Sequence, residues 1–219
     1  MTAFIGVDGF PGGWVAVQIG HDGHEYFDYA PRIDRLLSTT HRRAMIDIPI
    51  GLPERGYRVC DEEAQRLIGS RVFSGARRNL WTFPNPDAAN AYYWSNGDKG
   101  ISRQLWGLRH KLLEIDEFMT PRRQETVQET HPELVCLRLS GRQLDSKKTA
   151  VGRNQRVTLL KKHGLMKIER WLGLRERTGI GRDDLIDACL CAIAARDSTV
   201  RLPSQPPTDD RGLRMEMWY

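Results

Sequence analysis

No apolar run in the chain approaches the roughly 20 residues a helix needs to cross a bilayer. Met1-Thr2-Ala3-Phe4 carries no basic stretch ahead of an apolar one. Neither a membrane span nor a secretory leader is expected. Cysteine is scarce, and Cys60, Cys136, Cys189 and Cys191 show no CxxC or CxxH spacing. Cys189 and Cys191 lie two apart in a helical pattern and so face different directions. Nothing here calls for disulfides or a structural metal, and the four thiols read as reduced core residues of a cytoplasmic protein. Internal repeats and low-complexity tracts are absent too, which argues against solenoids and disordered tails.

What is present is a chain of 219 residues, long enough for one large domain with its own core and not requiring a second. Lys and Arg number 33 against 28 Asp and Glu, a net charge of +5. The excess is local. From residue 138 to 182 there are thirteen basic residues against three acids, a balance of +10 that leaves −5 for the rest. A segment of that sign can track a phosphate backbone, or it can be the ordinary solvated face of several helices.

In chain order, Phe4 to Val7 is a buried strand that runs through Asp8 into the turn Gly9 to Gly13. Trp14 to Ile19 returns as a second strand, and His24 to Tyr29 reads as a third, so the opening is an antiparallel meander. A short helix, 33–38, leads to the strand 44–49, which is apolar on both faces except at Asp47 and is expected to lie parallel to the first. After a loop come helices over 61–68, 87–95 and 101–119, the last amphipathic through Ile101, Leu105, Leu108, Leu112, Ile115 and Met119. The pair over 87–119 looks like an insertion between strands, and the inserted helical region runs from about residue 54 to 123. Between the first two of these helices, Arg71, Arg77 and Arg78 alternate with Phe73, Trp81 and Phe83, a mix that can hold a nucleotide strand or make a plain surface pad. A strand over 125–131 places Val127, Glu129 and His131 on one face. Helices then follow over 133–139, 153–163, 167–172 and 183–196. The last is apolar almost all round, with small residues suited to close packing on a sheet, and a last strand is expected over 214–219.

Acids interrupt this apolar framework at Asp8, Asp47, Glu129 and the pair Asp184 and Asp187. If the strands run parallel, the acids at their carboxyl ends gather at one edge of the sheet. Asp184 and Asp187, three apart, share a helix face. Like charges so close raise one another's pKa unless a counter-charge intervenes, and two Mg²⁺ or Mn²⁺ ions shared with a substrate phosphate would supply it together with two-metal chemistry. Each acid also has a plainer reading. Asp183 can cap its helix, Asp184 can answer the helix dipole, and Asp187 and Glu129 can each pair with an arginine. Asp8 can close an Asx turn and Asp47 can bond loop amides. His131 is equally a strand-end hydrogen-bonding group and a metal-site or proton-transfer candidate.

The strings VDG with GGW (7–9 and 12–14), IDIPIGLP (46–53), ETHPE (129–133) and DLIDA (184–188) resemble, in that order, the motifs of the DUF429 family, described as predicted nucleases of the ribonuclease H-like fold. The likeness covers nearly the whole chain, so one domain over 1–219 is expected. The resemblance implies an α/β fold with a mixed sheet, three antiparallel strands followed by parallel ones, flanked by helices. Asp8 then matches the acid of the first strand and Asp47 that of the fourth. The pair Asp184 and Asp187 matches the final-helix acids of Holliday-junction resolvases, and Glu129 is particular to this family.

The expected activity is metal-dependent phosphodiester hydrolysis in DNA or RNA. Asp8, Asp47, Glu129, Asp184 and Asp187 serve as catalytic metal ligands for Mg²⁺ or Mn²⁺, with two ions expected alongside substrate. Arg71, Arg77, Arg78, Lys147, Lys148, Arg153 and Arg156 grip the backbone, and His131 stays a candidate. The expected partner is nucleic acid rather than a membrane, and a homodimer is left open. Two rivals keep the fold. One is an ATP-binding phosphotransferase like the actins and sugar kinases, which needs a second enclosing domain, and the other is a nucleic-acid binder without turnover.

Overall fold

The computed structural model describes residues 3–38 and 40–219. Met1 and Thr2, at the head of the segment read for a leader, lie outside them, as does Thr39. In chain order the elements are β1 (Ala3–Phe10), β2 (Gly13–Gly20), β3 (Glu25–Ala30), α1 (Ile33–Leu36), β4 (His41–Ile46), α2 (Val59–Ile68), α3 (Pro86–Ser95), α4 (Arg103–Gly107), α5 (Arg109–Phe118), β5 (Val127–Glu129), α6 (Pro132–Ser140), α7 (Ala150–Lys162), α8 (Ile168–Leu174), α9 (Arg182–Asp197), β6 (Arg201–Leu202) and β7 (Met217–Trp218). No helix among the described residues is long and apolar enough to cross a membrane. The chain divides into two compact units. The first runs through Asp47, resumes over Thr126–Val200 and takes in Trp218–Tyr219, and the second comprises Ile48–Glu125 and Arg201–Met217.

The first unit is built on a five-stranded mixed sheet in the order β3-β2-β1-β4-β5. β1 pairs antiparallel with β2, and β2 with β3, while β4 runs parallel to both β1 and β5. Pro11 and Gly12 make a two-residue link between β1 and β2. Gly13 then enters β2 at φ 140°, a conformation an L side chain rarely adopts, where a Cβ would lie 2.2 Å from the Ala30 carbonyl oxygen.

Helix α9 packs across β1, β2 and β4. Its approach to β1 is closer than any side chain would allow, because a Cβ on Gly6 would lie 1.9 Å from the Ala192 backbone nitrogen and 2.2 Å from the Ala188 carbonyl oxygen. Small residues on α9 and a glycine on β1 thus bring helix axis and strand together. Phe10, Val15, Val17 and Met45 from the sheet meet Leu185, Ile186, Cys189 and Ile193 in one core, which α7 and α8 extend through Leu160, Ile168 and Trp171. Each large aliphatic side chain buried there contributes about 1.5–3 kcal/mol, more than the roughly 1 kcal/mol of a good cap. Packing therefore holds α9 in place, and its N-cap is Gly181, which has no capping side chain. The expected cap, Asp183, sits inside the first turn instead. All four cysteines are buried and free, and burial pushes the Cys136 thiol up to about 12.

The second unit holds α2 to α5 and most of the tail. The helix expected over 101–119 is broken at Leu108, whose N–H turns back to the Leu105 carbonyl at 3.0 Å, just after the poor helix former Gly107. Asp209 ties the tail down by accepting from the backbone N–H groups of Leu52, Arg211 and Leu213. The expected strand over 125–131 is only Val127–Glu129, because His131 and Pro132 already open α6.

Candidate metal centre

Asp8 follows Val7 in β1, and Asp47 follows Ile46 at the end of β4. Val7 and Ile46 are register partners in the parallel pair, and the Asp47 N–H donates to the Val7 carbonyl at 3.0 Å. The two acids therefore emerge side by side. Side chains alternate along a strand, so Asp8 shares the face of Gly6, the face α9 covers. Asp187, just past the first turn of α9, reaches the same point. Asp8, Asp47 and Asp187 each offer one carboxylate oxygen, and these three atoms all lie within 4.8 Å of one another. Asp8 is 8% exposed and Asp187 2%, whereas Asp47 is partly exposed.

The same register explains why Glu129 is not in this group. It pairs with Ile46, whose side chain points away from α9, so Glu129 belongs to the opposite face of the sheet, where it is buried. Asp184 lies near enough for its charge to act on Asp8, but its Oδ2 accepts from the Gly181 N–H at 3.1 Å and so closes the start of α9. His131 is the N-cap of α6, its Nδ1 accepting from the Glu133 N–H at 3.2 Å.

A cation stands among the acids. The loop between α6 and α7 carries Lys147, whose Nζ donates to Asp187 Oδ2 in an ion pair. The other oxygen of that carboxylate, Oδ1, is buried and has no hydrogen-bond partner among the described residues. Asp8 Oδ1 accepts from the Gly9 N–H at 2.7 Å.

One ammonium does not balance three carboxylates, two of them buried. Burial, and then the charges of Asp47, Asp187 and Asp184, hold the Asp8 carboxyl well above its ordinary value even with Lys147 opposing. Burial pushes Asp47 up to about 7, with Lys147 pulling down and Glu133 pushing up. Burial likewise lifts Asp187 to about 6 against the pull of Lys147. Lys147 answers in kind. Burial works against its charge, yet Asp187, Asp47 and Asp8 hold the ammonium above its ordinary value. The centre is short of positive charge, and the donors gathered there are carboxylate oxygens, the hard donor type that suits Mg²⁺, Mn²⁺ or Ca²⁺.

The basic residues expected on a backbone are divided. Arg156 is 1% exposed and binds the buried Glu133 through Nε at 3.2 Å and Nη2 at 2.5 Å. Arg77 is fully buried, held by the Gly56 and Lys99 carbonyls and flanked by the rings of Tyr57 and Tyr93. Neither has its guanidinium on the surface. Arg78 pairs with Asp116 at 3.0 Å and Asp209 at 2.6 Å. Arg71 is partly exposed, Lys148 is exposed, and Arg153 holds the Lys147 and Lys148 carbonyls at 3.3 and 2.8 Å.

Sequence reasoning missed two features. Lys147 was read with the backbone-gripping set and stands in the acid cluster, and Glu133 and Arg156 form a buried pair beside it. The only local signal was Thr149 and Gly152, a cap and a small residue at the start of α7 that mark a loop folded tightly against the helix. Comparison with known proteins adds one result: the family model described as "Protein of unknown function (DUF429)" matches residues 6–208. No curated protein and no solved structure matches the chain.

Proposed function

The chain belongs to the DUF429 family, whose description carries no activity, and we propose from the centre itself that it is a metal-dependent nuclease on a ribonuclease H-like fold. The observation that carries this reading is the triad Asp8, Asp47 and Asp187, gathered within 4.8 Å from two adjacent strands and the helix that covers them. The fold reading draws on the strand order, a three-stranded antiparallel meander extended by two parallel strands. The residues fit a hard divalent cation, since the three gathered donors are carboxylate oxygens, one ammonium faces three acids, and Asp187 Oδ1 is buried without a hydrogen-bond partner among the described residues. Bound there, Mg²⁺ or Mn²⁺ supplies Lewis acidity towards a phosphodiester and a water acidic enough to attack it.

The protein's own contribution is placement. The close contact at Gly6 locks α9 against β1 and keeps Asp187 over Asp8. Lys148, exposed next to Lys147 in the chain, and the basic stretch from 138 to 182 offer charge to a nucleic-acid backbone. The test is a Mn²⁺ titration of wild type and Asp8→Asn, followed by cleavage assays on structured DNA and RNA. The reading expects metal binding and cleavage in the wild type and neither in the variant. Equal metal binding in both, with no cleavage by either, refutes it.

One observation favours a second reading, a nucleic-acid binder without turnover: Lys147 already pairs with Asp187. That reading expects binding with a steep salt slope and no metal requirement.

A further inference from the structure

We propose that the carboxylate triad takes one divalent cation, not two, and that the ammonium of Lys147 is built in as the second positive centre. The inference rests on the metal reading above and goes beyond it by fixing how many ions the site holds and why.

The ligands divide accordingly. Asp187 gives one oxygen to Lys147 and keeps the other buried, without a hydrogen-bond partner among the described residues. Asp8, Asp47 and Asp187 each offer one carboxylate oxygen, and these three lie within 4.8 Å of one another. A single magnesium ion with ligands at about 2.0–2.1 Å spans roughly 4 Å from one side to the other, so the cluster is the size of one coordination shell. Two-ion sites hold their metals about 3.5–4 Å apart and need further carboxylates on the outer sides. Here Asp184 has an oxygen on the Gly181 N–H, and Glu129 belongs to the other face of the sheet. Charge points the same way. One dication and one ammonium neutralise the triad, whereas two dications and the ammonium leave the triad with an excess of two positive charges beside the buried Asp8 and Asp187, which is costly.

The Lys147 side chain is 39% exposed, but the backbone that carries it is fixed. Its loop is clamped to α7 from several sides. Arg156 Nη1 donates to the Asp145 carbonyl at 2.8 Å, Arg153 Nη1 to the Lys147 and Lys148 carbonyls, and Thr149 Oγ1 accepts from the Gly152 N–H. Gly152 is there because the loop passes over it, and a Cβ would lie 2.2 Å from the Ser146 carbonyl oxygen. Arg156 is itself fixed by Glu133. A loop fixed in this way delivers one ammonium to one place.

Isothermal titration and electron paramagnetic resonance with Mn²⁺ alone test the proposal on wild type, Lys147→Met and Lys147→Arg. Expected are one ion in the wild type and one in Lys147→Arg with affinity within about threefold. Lys147→Met is expected to take either a second ion or a first ion at least tenfold tighter. Should Lys147→Met not fold, Lys147→Gln, which keeps a hydrogen bond to Asp187 without the charge, replaces it. Two ions in the wild type, or the same titration curve with and without the lysine, overturn this inference and leave the metal reading standing. No Mn²⁺ bound by any of the proteins overturns both.

Discussion

Replacing Asp187 by Asn is expected to make the metal-free protein more stable while abolishing its response to metal. In the folded chain Asp187 is 2% exposed and, net of the Lys147 ion pair, its carboxyl is lifted from an ordinary 3.8 to about 6. A folded-state pKa above the unfolded one means the folded protein binds more protons between these values. Stability is therefore fullest below about pH 4 and is lost as the pH rises through about 6. A shift of about two units at about 1.4 kcal/mol each bounds the loss near 3 kcal/mol at neutral pH. Asparagine has the shape of the protonated acid and removes that loss. Lys147 is not orphaned, since Asp47 and Asp8 also act on it. The expected gain is about 1–3 kcal/mol, or about 3–10 °C in Tm for a chain of this size. Thermal unfolding with EDTA at pH 7.5 and pH 5 measures it. The gain should roughly halve at pH 5, where the wild-type carboxyl is already mostly protonated, and Mn²⁺ should raise the Tm of the wild type only. A lower Tm for Asp187→Asn at pH 7.5 in EDTA would refute the argument, because it would mean that the pair with Lys147 outweighs the burial of Asp187 and its repulsion by the neighbouring acids.

Gly6→Ala puts a methyl into the backbone of α9; overpacking of this kind costs about 1–3 kcal/mol or more, and any folded fraction should bind Mn²⁺ at least tenfold more weakly as α9 carries Asp187 away. Arg156→Met removes the charged hydrogen bonds between Arg156 and the buried Glu133 carboxylate and should cost about 1.5–3 kcal/mol in urea unfolding, with Mn²⁺ binding weakened as the Lys147 loop loosens. Metal affinity measured by calorimetry should fall as the pH drops from 7.5 to 5.5, because protons compete for Asp47, lifted to about 7, and Asp187, lifted to about 6. A flat profile across that range would place the metal elsewhere.

The strands that carry the site were legible because they are short apolar runs ending at an acid. The register that sets Asp8 beside Asp47 follows once both are read as parallel neighbours. The last helix was legible from its nearly continuous small and apolar residues. Other features could not be read locally. An arginine in sequence looks like a surface residue, and only its partner says otherwise: Glu133 lies 23 positions from Arg156, and Arg77 is held by carbonyls 21 and 22 positions away. Helix periodicity likewise ran straight through Leu108, because the turn that breaks the helix there keeps the same residues on the apolar side.

The strings VDG, IDIPIGLP, ETHPE and DLIDA carried the family resemblance, while periodicity, turn residues and isolated acids in apolar runs pointed to the strands and to Asp8, Asp47, Glu129, Asp184 and Asp187. Which face of the sheet each acid occupies, and which cation stands among them, was decided only in three dimensions. A side chain's face depends on register with a partner strand, so Glu129, one step short of Asp47, goes to the opposite face. Lys147 enters the centre because Arg153, Arg156 and Gly152 fold its loop onto α7, a closure between residues whose individual types announce nothing.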